Sequence, residues 1–362
     1  MAALLLTGAS GWIGGEVLRQ MLPLRPGWRF FLLVRDPERL DPDLRTPQIT
    51  VLQGDLTLPD LGIGERQRFV LRQSVTEIIH AAGGQDPELS LDQLRRLNVS
   101  GTDHLLRLAA TLPRLIKFLH LSTTYVAGRS QGLVPEAVVE HRARFCNACE
   151  HSRYEAELLV SSHAWNLPVA IARLSTVLGD SRTGAVRRFG YAHQLLRLFP
   201  RMQVPQIPFD SEAVADLIAS DWAARAVAAL ITHHFEAGAV FHVCAGPAHS
   251  LTATELVSET QRLFAHHPRA QKWMPFRAPR RVTLAEWDEF LIRMRRDGSF
   301  SMNQLLRALD SYLPHLAIRQ EFDNTRTLAL LESSGVELPP PKRALYAGVV
   351  RWLLDNDWSH PQ

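Results

Sequence analysis

Between an apolar run, Leu4 to Leu6, and an amphipathic stretch, Gly14 to Leu22, stands Thr7-Gly8-Ala9-Ser10-Gly11-Trp12-Ile13-Gly14, with its glycines spaced GxxGxxG. In a strand–turn–helix the three glycines serve different ends, which are a tight turn, close approach of backbone to a pyrophosphate, and close packing of helix on strand. The first helical turn then offers unpaired N–H groups and the positive end of the helix dipole to phosphate oxygens. A glycine triplet alone also fits a plain tight turn, so its surroundings must carry the reading.

Those surroundings alternate. Short apolar runs at Leu4 to Leu6, Phe30 to Val34, Ile49 to Leu52, Glu77 to His80, Ile116 to Leu121 and Val169 to Leu174 predict strands. Helical patterns lie between them, among them Gly14 to Leu22, Leu94 to Ala110 and Glu150 to His163, the last ending before Asn166 and Pro168. Strands alternating with helices predict an α/β fold, a Rossmann-type doubly wound parallel sheet. The alternation weakens after Gly184 and returns as a helix over Asp216 to Ile231 and a strand over Val240 to Cys244. From residue 250 on the pattern is mostly helical, broken by Pro275, Pro279, Asp297-Gly298 and Pro339-Pro340-Pro341. Residues 1–184 and 211–246 therefore read as a dinucleotide-binding domain, and 185–210 with 247–362 as a smaller, mainly helical substrate-binding region.

The balance of charges excludes several classes. Forty basic against 37 acidic side chains leave a net charge of +3, too even for a nucleic-acid or membrane surface. No apolar run approaches the ~18 residues of a membrane span. Ala2 to Leu6 is too short for a signal peptide and lacks its basic lead, so a cytoplasmic protein is expected. Three cysteines, Cys146, Cys149 and Cys244, do not make a disulfide framework.

The second strand ends at Val34-Arg35-Asp36, 21 residues beyond Gly14. There a carboxylate would accept from a ribose 2′-OH, whereas an arginine suits a 2′-phosphate, so Arg35 favours NADP(H). Arg35 as a solvated loop residue beside Asp36 is the alternative. Gly54-Asp55-Leu56 closes the third strand, where Asp55 either accepts from an adenine amino group or simply closes an Asx turn.

With Thr7 to Gly14, Gly54 to Gly62, Ile79-His80-Ala81-Ala82 and Asn98-Val99-Ser100-Gly101-Thr102, the sequence resembles the extended short-chain dehydrogenase/reductase superfamily. The segment Asp55 to Gly62 is similar to the fatty acyl reductase and thioester reductase branch. Leu121 to Gly128, Arg173 to Gly179 and Asp216 to Trp222 continue the likeness to about residue 246, and Glu321 to Thr325 and Tyr346 to Trp352 extend it thinly. The resemblance implies that Gly8, Ser10, Gly11, Trp12, Ile13, Gly14, Arg35, Asp55, Leu56, Ala81, Ala82, Asn98 and Arg153 hold the cofactor. It implies a small-molecule or carrier-bound acyl substrate, and a homodimer formed by the helices near 94–110 and 150–163.

The family's chemistry uses a Ser or Thr, a Tyr, and a Lys four residues after it on one helix face. The hydroxyl position matches Thr123, with Ser122 beside it. In Asn147-Ala148-Cys149-Glu150-His151-Ser152-Arg153-Tyr154-Glu155, however, Cys149 stands where Tyr belongs and Arg153 where Lys belongs. The five tyrosines are followed at i+4 by Arg129, Leu158, Leu195, Leu316 and Val350, so the pair has not moved elsewhere. Tyr154 would point about 140° around the helix from Cys149. A thiol four residues from a guanidinium is expected to have a lowered pKa, which makes Cys149 a nucleophile and not a proton donor. Arg153 can still hydrogen-bond a ribose. The proton donor is unassigned.

Cys146-x-x-Cys149 with His141 and His151 spells a thiol or zinc pattern, but it falls on a loop-to-helix boundary of the family and no metal is expected. His80 is expected to pack beside the cofactor, His233-His234 and His266-His267 to lie at the surface, and Trp273, Trp287 and Phe290 to be core. The reading is an atypical NADP(H)-dependent reductase of a carbonyl or acyl thioester. Two alternatives stay open: a catalytically impaired dinucleotide-binding scaffold or regulator, and a non-redox elimination or cyclisation on the same fold.

Overall fold

The computed structural model describes residues 2–86, 88–139, 144–198, 206–273, 279–297 and 309–358. Seven strands form a parallel sheet: β1 (Ala3–Thr7), β2 (Arg29–Val34), β3 (Ile49–Gln53), β4 (Val75–His80), β5 (Lys117–Thr123), β6 (Val169–Leu174) and β7 (Val240–Val243), in the order β7-β6-β5-β4-β1-β2-β3. The order reverses direction between β1 and β4, so the crevice for a ligand opens beyond the carboxyl ends of those two strands. The α/β expectation holds.

Alternate side chains of each strand feed two layers, as a period of two requires. Leu4, Leu6, Phe30, Leu32 and Ile79 pack beneath α1 (Trp12–Leu24) and the helix Ser220–His233. Leu5, Phe31, Leu33, Ile78 and Phe118 face the other side, with Leu105 and Leu106 from Gly101–Ala110 and Val160 from Ala148–Ser162. Burying such side chains contributes about 1.5–3 kcal/mol each.

Three differences from the sequence pattern position the site. β5 runs two residues beyond its apolar stretch, because Ser122 and Thr123 still pair with Arg173 and Leu174 of β6. The helix expected from Leu94 begins at Leu91, capped by Ser90 and Gln93, and is divided into α2 (Leu91–Arg95), a π turn over Arg96–Ser100, and α3 (Gly101–Ala110). The helix expected from Asp216 starts at Ser220, since Leu217–Ile218 pairs with Thr176–Val177 as a short parallel strand. A polar helix over Glu65–Ser74, which buries only Leu71, carries too little apolar periodicity to be anticipated.

The carboxy-terminal region divides its packing. Leu345, Val349, Val350 and Leu353 of the helix Lys342–Asp355 join the main core. Ile207, Val282, Trp287, Leu291, Leu309 and Leu313 form a separate small core with Phe290 against it, as expected for Trp287 and Phe290, while the Trp273 side chain lies outside the described residues. Gln320–Phe322 pairs with Gly132–Val134, which draws the segment around His315 towards the helix α4 (Ala148–Ser162).

Candidate active site

Close packing dictates the glycines of the first turn. Gly8 has φ +79°, and a Cβ there would lie 2.6 Å from the backbone of Ala81 and Ala82. A Cβ on Gly14 would lie 2.2 Å from the Gly8 carbonyl oxygen, which itself accepts from Gly11 N at 2.8 Å. Gly11 caps α1 without a side-chain acceptor, so the first N–H groups of the helix are left for a ligand. Thr7 Oγ1 accepts from Ala82 N at 3.3 Å and hydrogen-bonds His80 Nδ1 at 2.7 Å, tying the ends of β1 and β4 together. Ser10, Trp12 and Ile13 line the same turn, each partly buried.

Beyond β2, exposed Arg35 joins Gln53, Gly54, Asp55, Leu58 and Gly62 around an open cavity of about 340 Å³. Asp55 Oδ1 accepts from Thr57 N and from Thr57 Oγ1, both at 2.8 Å, which is the Asx-turn alternative realised. Leu56 packs behind it and its carbonyl bonds His104 Nδ1 at 2.7 Å. Asp60, Leu61 and Gly62 at the cavity rim all have positive φ, of 53°, 60° and 66°, a run that costs strain at the two residues with side chains.

At the other end of the crevice the π turn aims Asn98 inward. Its Oδ1 accepts from Gly84 N at 2.6 Å, and its Nδ2 donates to Gly84 O at 3.0 Å and to Ser152 Oγ at 2.8 Å. Asn98 thereby clamps the loop after β4 to α4. Cys149 Sγ, on the same helix, donates to Gly84 O at 3.6 Å, and Arg153 lies against Gly83 with Nη1 3.5 Å from Leu121 O of β5. Thr123 Oγ1, half-buried at the end of β5, accepts from Tyr125 N at 3.3 Å. Ser122 Oγ is buried and has no hydrogen-bond partner among the described residues.

The expectation for the Cys149 thiol is overturned. Burial pushes its pKa up, and the Arg153 guanidinium opposes this without overcoming it, so the group is a thiol at neutral pH. Burial, and then the charge of Arg153, also push His80 down to about 3, so a neutral ring bridges Thr7 and Thr102. His80 is a packed residue, as expected. Tyr154 packs against Phe145 at 5.3 Å, away from Cys149.

The Cys-x-x-Cys spelling resolves into two separate free thiols. Cys149 faces Gly84, whereas Cys146 gathers with Glu150 and His315, a grouping that no spacing in the sequence announces. His151 stacks on Phe145 at 4.6 Å and pairs with Glu155 at 3.2 Å, and His141 lies outside the described residues. Tyr125 Oη hydrogen-bonds Thr176 Oγ1 at 3.0 Å, and burial raises its pKa, so it is a poor proton donor as it stands. The arrangement offers a dinucleotide crevice, a hydroxyl at the end of β5 and a guanidinium against Leu121 of the same strand.

A family model described as Male sterility protein, of the NAD-binding kind, matches residues 6–227. Among curated proteins, the fatty acyl-CoA reductase wat of Drosophila melanogaster is 25% identical over 49% of this chain and 43% of its own length. The chain thus spans less than half of that relative. Among solved structures, the terminal R domain of the myxalamid PKS-NRPS pathway superposes with a TM-score of 0.79 at 25% identity, covering 100% of this chain and 93% of that one. The thiolation-reductase di-domain of an archaeal non-ribosomal peptide synthetase shares the fold, with a TM-score of 0.70 at 17% identity over 99% of this chain and 76% of that one. No helix of the described residues is long and apolar enough to cross a membrane.

Proposed function

The chain belongs to the male sterility protein family of NAD(P)-binding oxidoreductases, within the extended short-chain dehydrogenase/reductase superfamily, and from that premise we propose that it reduces an acyl thioester with NADPH. The observation that carries the reading is the crevice itself: a side-chain-free helix terminus at Gly11, an arginine-bearing cavity beyond β2, and a hydroxyl and a guanidinium at the far end. NADPH would supply a hydride. Gly8, Gly11 and Gly14 would hold its pyrophosphate, and Arg35 a 2′-phosphate. Thr123 Oγ1 would donate to the substrate carbonyl oxygen, and Arg153 would fix the ribose. Residues 185–210 and 247–362 would enclose the acyl chain, delivered on coenzyme A or a carrier domain.

The test is a titration with both nucleotides followed by turnover. Arg35→Ala should cost about 1.5–3 kcal/mol of NADPH affinity, the range for a hydrogen bond to a charged group, and leave NADH nearly unaffected. Equal titration curves for the two nucleotides in the parent protein would refute the NADP assignment. Thr123→Ala should abolish NADPH consumption on an acyl-thioester panel while binding stays intact. A second reading, a dinucleotide-binding scaffold, is favoured by Cys149 and Arg153 in place of the phenol and ammonium. It predicts that the parent binds NADPH and consumes none on any acyl thioester or aldehyde.

A further inference from the structure

Outside the nucleotide crevice, the amino-terminal end of α4 holds a second group of reactive side chains. The reactive atoms of Cys146, Glu150 and His315 all lie within 4.8 Å of one another. His315 Nε2 donates to Glu150 Oε1 at 2.9 Å, and its ring is within hydrogen-bonding reach of the Cys146 sulfur. Glu150 is buried and held in place, accepting from Asn147 Nδ2 at 2.7 Å and from Cys146 N at 2.9 Å. Arg129 reaches the same sulfur, and its buried Nε has no partner among the described residues. Nucleophile, base and orienting carboxylate are thus assembled, with a cation beside them, on a half-buried cysteine.

These groups fit acyl transfer better than metal binding. Glu150 Oε1 already accepts from Asn147 and His315 and Oε2 from the Cys146 N–H, and His315 Nε2 carries a proton, so a cation would have to displace a bonded proton and an N–H donor to take these ligands. Burial opposes charge on His315, but the Cys146 sulfur and the Glu150 carboxylate outweigh it and push the pKa of the ring well above its ordinary value. Tyr125, two residues beyond Thr123, packs its ring 4.5 Å from His315, so the group adjoins the proposed reduction site.

We propose that Cys146 is an acyl acceptor: it takes the acyl group from a thioester, with His315 as its base and Glu150 orienting His315. The proposal rests on the acyl-thioester reading of the substrate. The Cys146 sulfur bonds to the thioester carbonyl carbon as the bond from that carbon to the carrier sulfur breaks. The proton given up by Cys146 rests on His315 and passes to the departing carrier sulfur. Acyl-Cys146 and a free carrier thiol result, with no change in oxidation level. Arg129 is placed to stabilise the oxyanion that forms between the two thioesters.

The experiment incubates the parent protein with octanoyl-CoA in the absence of nucleotide, following coenzyme A release by chromatography and the adduct by intact and peptide mass. One equivalent of coenzyme A and an octanoyl adduct mapped to Cys146 are expected. Cys146→Ser should lose this thioester adduct, and His315→Asn should form it about 10²–10⁴-fold more slowly, as for loss of a general base. Retained NADPH binding shows that each variant is folded. No adduct in the parent, or one on Cys149 or Cys244, overturns the proposal. So does stoichiometric zinc binding lost in Cys146→Ser with no acylation. Adding NADPH separates the two readings. NADPH oxidation without any adduct removes this proposal and keeps reduction; an adduct without NADPH oxidation supports this proposal and removes reduction.

Discussion

Adding one methyl group to the helix that follows the glycine turn should cost the protein its nucleotide. In Gly14→Ala the new Cβ lands 2.2 Å from the Gly8 carbonyl oxygen and 2.7 Å from its carbon, where ordinary contact begins at 3.4 Å. The helix or the turn must therefore retreat by about 1.2 Å. The turn cannot give, because Gly8 already lies against the backbone of Ala81 and Ala82, where its own Cβ position is 2.6 Å from both. The helix must lift instead, at about 1–3 kcal/mol for overpacking. A displacement of that size also takes the N–H groups of the first turn out of hydrogen-bonding range of a phosphate. Losing one such bond costs about 1.5–3 kcal/mol, which is roughly a tenfold to hundredfold loss of affinity. Gly15→Ala is the contrast. Its Cβ would meet Ala9 O at 3.2 Å and the flexible end of Arg19 at 3.5 Å, a fit within a few tenths of an ångström. Alanine in the helix gains about 0.8–1 kcal/mol of propensity, so this variant should be no less stable than the parent and bind normally. Calorimetric titration with NADPH and thermal denaturation of all three proteins measure both effects. Parent-like affinity in Gly14→Ala would refute the packing account of the turn.

Cys149 should alkylate slowly with iodoacetamide at neutral pH, because burial raises its pKa; a rate at or above that of a free thiol would contradict this. Burial holds His80 and His242 down to about 3, so the unfolded chain takes up protons below its ordinary pKa of 6.5 while the folded chain does not. The contribution of these two rings is complete above that pH and should fall as pH drops towards 3, by about 1.4 kcal/mol per ring at pH 5.5. It runs against the opposite and smaller slope of His315, whose raised pKa adds stability as pH falls. Urea denaturation that is flat between pH 7.5 and 5.5 would count against the net fall. Arg173 is fully buried and donates to Glu157 at 2.7 Å, so Arg173→Met should lose about 3–5 kcal/mol by stranding a carboxylate. Replacing both, Arg173→Met with Glu157→Leu, should recover most of that loss in the same denaturation assay, and equal losses would show that the stranded charge is not the cause.

The alternation of strands and helices, the glycine turn and the departure at Cys149 and Arg153 were all determined by the sequence alone. Each is a local property: apolar period, backbone freedom at a turn, or two residues four apart on a helix. Tertiary structure decided what the local pattern left open. Ser122 and Thr123 are polar, and they are strand because β6 pairs with them. Asn98 sits in a π turn because its amide has Gly84 and Ser152 to clamp. Arg153 alone argues for a lowered Cys149 pKa, yet the loop at Gly84 and the surrounding chain bury the sulfur, and desolvation wins. Cys146 pairs in sequence with Cys149 but in space with Glu150 and with His315, whose ring comes from the far carboxy-terminal region. Side-chain chemistry depends on dielectric and on neighbours, and a chain acquires both only when distant segments close over it.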